Sequence, residues 1–227
     1  MDLGQIEPPF GQNFSATDLN DADVVIGLGD NAAGGRSGFI WNGQMNSLGD
    51  LIPVAINNTG AILATRTTQG VTQTTVQQWP GMPQVLSAGW ATELVGSDLN
   101  DADTVVGLAR KNSGDTTGFV SVGNQVVDLN QRLSRAARRA EVEIVWATAI
   151  NNEGYILASD GVQPWLLIPT QDCAADFNDD GGITGLDVES FMDAWVNAQV
   201  ESDVNDDGGI DGSDVDTFIT IWMNGGC

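Results

Sequence analysis

The chain has 227 residues, with 8 Lys and Arg against 31 Asp and Glu for a formal charge of −23, a 41% hydrophobic share and no histidine. That length supports one good core or two smaller ones, and the charge argues against nucleic acid or an anionic membrane surface as a partner, since phosphate binding rests on Lys and Arg. Without histidine, Ser-His-Asp and Cys-His catalysis and His-based zinc sites are excluded, and no apolar run approaches the roughly 20 residues of a membrane span.

The first six residues, MDLGQI, compare with MNSLGDLI at 45–52 and read as the end of a repeat unit. Residues 1–17 are accordingly expected to be the tail of a preceding unit, with Met1 inside a longer array and an export signal upstream of it. The alternative is a short protein whose first strand closes a ring. The start has neither the basic nor the apolar region of a signal peptide. Further on, DLNDADVVIGL (18–28) returns as DLNDADTVVGL (98–108), and AINNTGAILAT (55–65) returns as AINNEGYILAS (149–159). All four share an apolar residue, an Asn, turn formers and an alternating apolar run, which sets repeat units at 18, 55, 98 and 149. Each unit predicts an Asx-rich turn, a short strand, a glycine-bearing loop and a second strand. The second strands are SGFIWNG (37–43), TTVQQWPG (74–81), TGFVSVGN (117–124) and QPWLLIP (163–169). Short strands at this spacing predict a mainly β repeat domain over residues 1–170, propeller-like or a partial propeller.

These units resemble extracellular repeats of the HAF type, in which A-x-x-I-N-x-x-G-x-I-x-G precedes an Ala-Phe-Leu-Trp-like strand. The His-Ala-Phe signature is replaced here by Ser37-Gly38-Phe39, Thr117-Gly118-Phe119 and Gln163-Pro164-Trp165. The resemblance implies an exported β-repeat domain and little chemistry.

Between the third and fourth units, LNQRLSRAARRAEVEI (129–144) favours helix by composition. Arg132, Arg135 and Arg139 fall on one face of it, either as a docking surface for acidic groups or as the solvated side of an insertion. Glu141 and Glu143 alternate as the carboxylate pair of a glycosidase would on a strand, but nothing else completes an active site around them. No catalytic residue is assigned, and the chain reads as non-catalytic. Trp41, Trp79, Trp90, Trp146 and Trp165 either fill the repeat core or stack on sugar rings.

A short linker, PTQD (169–172), leads into the acidic end, where DFNDDGGITGLD (176–187) and DVNDDGGIDGSD (203–214) follow one pattern of Asp, Asn, Asp, Gly and a closing Asp. Ca²⁺ takes six to eight oxygens, and a twelve-residue loop supplies them from positions 1, 3, 5, 7, 9 and 12. The expected ligands of the first loop are Asp176, Asn178, Asp180, Gly182 through its carbonyl, Thr184 and Asp187. Those of the second are Asp203, Asn205, Asp207, Gly209 through its carbonyl, Asp211 and Asp214. Gly181 and Gly208 stand where the loop turns sharply and positive φ is needed. Each loop enters a helix with the same apolar stripe: Val188, Phe191, Met192 and Trp195 match Val215, Phe218, Ile219 and Trp222. Two Ca²⁺ ions are the expected cofactors, with folding of the segment coupled to binding. The second loop, richer by the Asp211 carboxylate, is expected to bind more tightly.

Paired loops with Asp at position 12, each followed by a single helix, resemble a type I dockerin domain. Cys173 and the ending NGGC (224–227) resemble its Gly-Cys-terminated variety, so the likeness spans residues 173–227. It implies attachment of an exported protein to a cohesin-like scaffold or a cell-surface receptor, often within a polysaccharide-degrading assembly. Where dockerins of cellulose-degrading assemblies present hydroxyls to cohesin, at loop positions 10 and 11, this chain has Gly185-Leu186 and Gly212-Ser213; a different receptor stays open. A two-fold arrangement of the motifs would bring Cys173 and Cys227 together in a disulfide contributing roughly 4 kcal/mol, with two free buried thiols as the alternative. The whole reads as an exported calcium-binding protein, extracellular or at the cell surface, with a β-repeat domain and a small α-helical dockerin-like domain of two loop–helix motifs. The rival reading is a glycoside hydrolase or an accessory subunit of polysaccharide catabolism, with polysaccharide as a further partner.

Overall fold

The computed structural model describes residues 13–31, 35–68, 70–123, 125–134, 137–138, 140–169, 173–205 and 207–225. The chain divides into two compact units, Met1–Gln131 with Glu143–Ile168, and Arg132–Val142 with Pro169–Cys227. The repeat unit is therefore interrupted at 132–142, a stretch that groups with the C-terminal residues, and does not run unbroken over 1–170.

The first unit is mainly β. Its first sheet holds β1 (Ser15–Leu19), β2 (Val25–Asp30), β3 (Arg36–Trp41) and β4 (Met45–Gly49), and its second β5 (Ile52–Ile56), β6 (Ala61–Thr68), β7 (Val71–Gln78) and β8 (Gln84–Val85). The third holds β9 (Ala91–Leu99), β10 (Val105–Lys111), β11 (Thr116–Val122) and β12 (Gln125–Asp128), and the fourth β13 (Trp146–Ile150), β14 (Ile156–Ser159) and β15 (Pro164–Leu167). All pairings are antiparallel between consecutive strands.

The repeat phase differs from the sequence expectation by one strand. Asp18, Ala55, Asp98 and Ala149 lie near the ends of β1, β5, β9 and β13, so each sheet begins before the unit start read from the sequence. Residues 15–17 belong to β1, which pairs with β2 from Ser15↔Leu28 onward. Its sequence SATDL is mostly exposed and has no apolar alternation to signal a strand. Residues 1–12, including MDLGQI, lie outside the described residues.

Each sheet turns on its asparagine. The Oδ1 atoms of Asn20, Asn57, Asn100 and Asn151 accept from the N–H four residues on, at 3.0, 2.8, 3.1 and 2.8 Å. Three residues on, the backbone takes positive φ at Asp23 (59°), Gly60 (89°), Asp103 (58°) and Gly154 (82°), a conformation open to Gly and tolerated by Asp. The other end of the amide points to the next sheet: Asn20 Nδ2 donates to the Asn57 carbonyl at 3.0 Å, Asn57 to Asn100 at 2.8 Å and Asn100 to Asn151 at 3.1 Å. Because neighbouring strand residues face opposite ways, Ile62 joins a core with Ile26, Ile40, Leu48 and Ile56 of the first joint, while Leu63 joins Leu94, Leu99, Val105 and Phe119 of the second. Gly38 and Gly118 explain the Ser-Gly-Phe and Thr-Gly-Phe motifs. A side chain at Gly38 would meet the Leu51 carbonyl, and one at Gly118 would meet Ile144 at 2.7 Å.

The stretch expected as a helix over 129–144 is a 3-10 turn at Leu129–Arg132, with helical geometry again at 137–138. Its ends are pinched together: Asn130 Oδ1 accepts from Ile144 N–H at 2.7 Å and Asn130 Nδ2 donates to the Ile144 carbonyl at 3.0 Å. Inside that closure Arg138 N–H donates to the Ser134 carbonyl at 3.0 Å, an α-helical bond in keeping with the helix propensity of the Ala and Arg residues between. Arg135 and Arg139 of the expected basic face lie outside the described residues. Glu141 and Glu143 are exposed and belong to no strand, so they do not alternate as a pair. The five tryptophans of this unit are half-buried. Trp79 and Trp90 pack against the two cores, and Trp90 Nε1 donates to the Val126 carbonyl at 3.1 Å.

The second unit contains α1 (Gly185–Val196) and α2 (Gly212–Met223). Among the described residues no helix is long and apolar enough to cross a membrane. Phe191 and Phe218, equivalent positions of the two helices, stack at 4.1 Å with 13° between planes, and Phe177 from the first loop meets both edge-on at 5.4 and 5.7 Å. Val188, Trp195, Val215, Ile219 and Trp222 pack around them. Met192 departs from the expected stripe: it is exposed, and Ala194 takes the buried place on α1. The linker residues Thr170, Gln171 and Asp172 lie outside the described residues.

Candidate metal centre

The two acidic loops fold alike, residue for residue, 27 positions apart. Asp176 accepts from Asp180 N–H at 3.0 Å and Gly181 N–H at 2.8 Å; Asp203 accepts from Asp207 N–H at 3.2 Å and Gly208 N–H at 3.0 Å. Asn178 and Asn205 accept from the N–H of Asp180 and Asp207, both at 3.0 Å, and donate their amides to the carboxylates of the same residues at 2.9 and 3.0 Å. Asp180 and Asp207 accept in turn from Gly182 and Gly209 N–H at 2.9 and 2.8 Å. Gly181 and Gly208 have φ of 87° and 84°, and a Cβ at either would meet nothing within 4 Å. The backbone angle alone therefore selects glycine there.

Position 9 starts each helix. Thr184 caps α1 by accepting from Leu186 N–H at 3.2 Å, and Asp211 caps α2 by accepting from Ser213 N–H at 2.8 Å. The Ser213 N–H, with its hydroxyl also at 2.8 Å, holds the Asp211 carboxyl below the usual carboxylate range. Position 12 completes a capping box in both helices. Asp187 accepts from Thr184 N–H at 2.7 Å and Asn178 N–H at 3.2 Å; Asp214 accepts from Asp211 N–H at 2.9 Å and Val204 N–H at 3.0 Å.

Asp187 and Asp214 are both 0% exposed, and neither has an ion-pair partner among the described residues. A buried carboxylate is costly unless it is hydrogen-bonded and its charge is balanced. The donor set is oxygen throughout, which suits a hard cation such as Ca²⁺, and a carboxylate oxygen holding a single N–H, such as Asp214 Oδ2 with Asp211, keeps a lone pair for a second partner. In these two respects the residues fit Ca²⁺. Among the described residues, however, no three Asp, Glu, Cys or His side chains converge into a metal-holding group. The position-1 and position-5 carboxylates are turned to loop N–H groups, with the Asn amide bonded to the latter.

Two contacts at the loops escaped the sequence reading. Trp195 Nε1 on α1 donates to the Asp211 carbonyl of the second loop at 2.8 Å, and Trp222 Nε1 on α2 donates to the Thr184 carbonyl of the first, also at 2.8 Å. Each helix thus holds the position-9 residue of the opposite loop. Both tryptophans stood in the apolar stripe, and only their indole N–H hinted at a second task. Cys173 is disulfide-bonded, and Cys227 lies outside the described residues.

Fold and loops together define a β-repeat protein carrying a small unit of two loop–helix motifs. Set against known proteins, the chain matches no protein-family model, and no curated protein matches it.

Proposed function

We propose that the second unit is a dockerin-like module that binds two Ca²⁺ ions, one per loop, and attaches the protein to a cohesin-like scaffold or a cell-surface receptor. The observation that carries this reading is the pair of fully buried carboxylates, Asp187 and Asp214, at equivalent positions of two loops and accepting from equivalent N–H groups, Asn178 and Thr184 in one, Asn205 and Asp211 in the other. Bound Ca²⁺ supplies the positive charge that these loops otherwise lack. The chain's own residues do the rest: Gly181 and Gly208 turn the loops, the helix caps orient the position-12 carboxylates, and the crossed tryptophans hold the motifs together. A Cys173–Cys227 bridge ties the ends of the module, in keeping with an extracellular or cell-surface location. The first unit is displayed as a propeller-like array, a reading supported by the sheet-to-sheet asparagine contacts and the succession of apolar joints.

Calorimetric titration of the full chain with Ca²⁺ tests the metal, with Asp187→Asn and Asp214→Asn as controls. Two sites are expected in the native chain, each variant losing one. Absence of binding heat together with an unchanged thermal transition in chelator would end the proposal. Ca²⁺-dependent retention on a cohesin-coated surface tests the attachment, whereas polysaccharide hydrolysis by the full chain would favour an active role in glycan breakdown.

A further inference from the structure

The joint between the second and third sheets has two unlike halves. The donor half carries AINNTGAILAT: Leu63 is 0% exposed in the shared core, and Asn57 Nδ2 donates to the Asn100 carbonyl and to Asp103 Oδ1, both at 2.8 Å. Asn58 N–H adds a bond to Asp101 Oδ1 at 2.8 Å. The acceptor half carries DLNDADTVVGL and places Leu99, 5% exposed, in the same core.

The two ends of the array present these same halves without a counterpart. At one end the fourth sheet carries AINNEGYILAS. Leu157, six residues beyond Asn151 as Leu63 is beyond Asn57, is 45% exposed, and its cross-strand neighbour Leu166 is 58% exposed. Asn151 is exposed where Asn20, Asn57 and Asn100 are buried, and its Nδ2 has no acceptor among the described residues. At the other end the first sheet carries DLNDADVVIGL. Leu19, the equivalent of Leu99, is 64% exposed. Asp21 and Asp23, the equivalents of the acceptors Asp101 and Asp103, receive no side-chain or backbone donor on their carboxylates among the described residues. With Leu19 and Leu157 both exposed, the described residues form no such joint between the first and fourth sheets of one chain.

We propose that the fourth sheet of one copy docks on the first sheet of a second copy, head to tail, reproducing the joint between the second and third sheets. Apolar side chains with no polar competitor, Leu157 and Leu166 from one copy and Leu19 from the other, fill its core. The Asn151 amide donates to the Asn20 carbonyl and the Asp23 carboxylate of the second copy, and Asn152 N–H donates to its Asp21. Complementary ends of this kind make a heterologous contact, which closes a ring or extends a chain of copies.

Sedimentation of the full chain over a concentration series tests it, run at about 0.15 M salt so that the shared negative charge is screened. The native chain is expected to self-associate by about 100 µM, where even a weak joint is populated. Leu19→Glu and Leu157→Glu should each weaken association by about 10- to 100-fold, because either buries an unpaired charge in the joint. Both sites are solvent-facing in the single chain, so circular dichroism should be unchanged. Mixed together, the two variants retain one intact half each and should form a 1:1 dimer that neither forms alone. Val162→Glu, at a 94% exposed position outside the joint, serves as control and should associate like the native chain. The joint lies in the repeat unit, so association should persist in chelator. A native chain that stays monomeric, or variants that associate as it does, would overturn the proposal.

Discussion

Asn57 and Asn178 both sit in tight Asx turns, yet they serve opposite arrangements. Asn57 uses its oxygen on its own turn and its nitrogen on the next sheet, so every such turn becomes a link between two layers. Asn178 keeps both atoms inside its loop, on the backbone and the carboxylate of Asp180. In the repeat unit the polar groups bond between sheets; in the C-terminal unit they bond within each loop, beside a fully buried Asp187 or Asp214. The two kinds of Asx turn thus differ in where their hydrogen bonds end, and that difference separates a structural latch from a candidate ion cradle.

The comparison is broken most directly at Asn57. Asn57→Ala strands the buried Ala61 N–H and removes two bonds to the third sheet, so unfolding of the repeat unit in urea should lose about 2–4 kcal/mol. Asn151→Ala removes only a bond to Tyr155 N–H at an exposed site and should cost about 1 kcal/mol or less. Equal losses would show that the contact between sheets adds nothing.

A smaller effect sharpens the role of carboxylates within the repeat unit. Asp128 is paired with Lys111 at 2.7 Å and accepts from Thr117 Oγ1 at 2.6 Å and Asn130 N–H at 3.0 Å. Burial alone would raise its pKa, but these partners together hold it below the usual range. A lowered folded-state pKa gives stability that is present above the unfolded value and lost as pH falls through the folded one. Asp128→Asn should therefore cost about 2 kcal/mol near neutral pH, allowing for the partial exposure of Lys111. That deficit should shrink as pH falls below 3.8 towards the folded value. Asp98 runs the other way: burial raises its pKa despite the N–H bonds from Ile150 and Leu99, so its ionisation opposes folding. A deficit for Asp128→Asn that stayed constant into acid would rule the linkage out.

The smallest expected change concerns the two loops themselves. Thr184 and Asp211 both cap a helix, so Thr184→Asp should keep α1 and add a fourth carboxylate to the first loop. Titration calorimetry should then find the two Ca²⁺ affinities closer by about tenfold or less. An unchanged gap would remove Thr184 from the ligand set.

Much of this was legible because local chemistry repeats. The four asparagines, the turn glycines of the acidic loops and the twin loops themselves were visible as near-copies, whereas the capping boxes of Thr184 with Asp187 and Asp211 with Asp214 emerged only in the structure. What escaped has a common cause. The strand SATDL lies largely in solvent and shows no apolar alternation; its place is set by pairing with β2. The stretch expected as helix over 129–144 opens with a 3-10 turn and is closed at its ends by Asn130 and Ile144, fourteen residues apart, with α-helical geometry between them at 137–138. Met192 faces outward although its spacing fits the stripe, because Ala194 lies where the helices pack.

By itself the sequence determined the turns, since an Asx oxygen and a glycine φ act within a few residues and need no distant partner. Only the tertiary structure decided which halves of those turns meet, which repeat faces remain uncovered at Leu19 and Leu157, and that each tryptophan crosses to the opposite loop. Those outcomes depend on surfaces brought together from far along the chain, and hydrophobic burial is indifferent to sequence order.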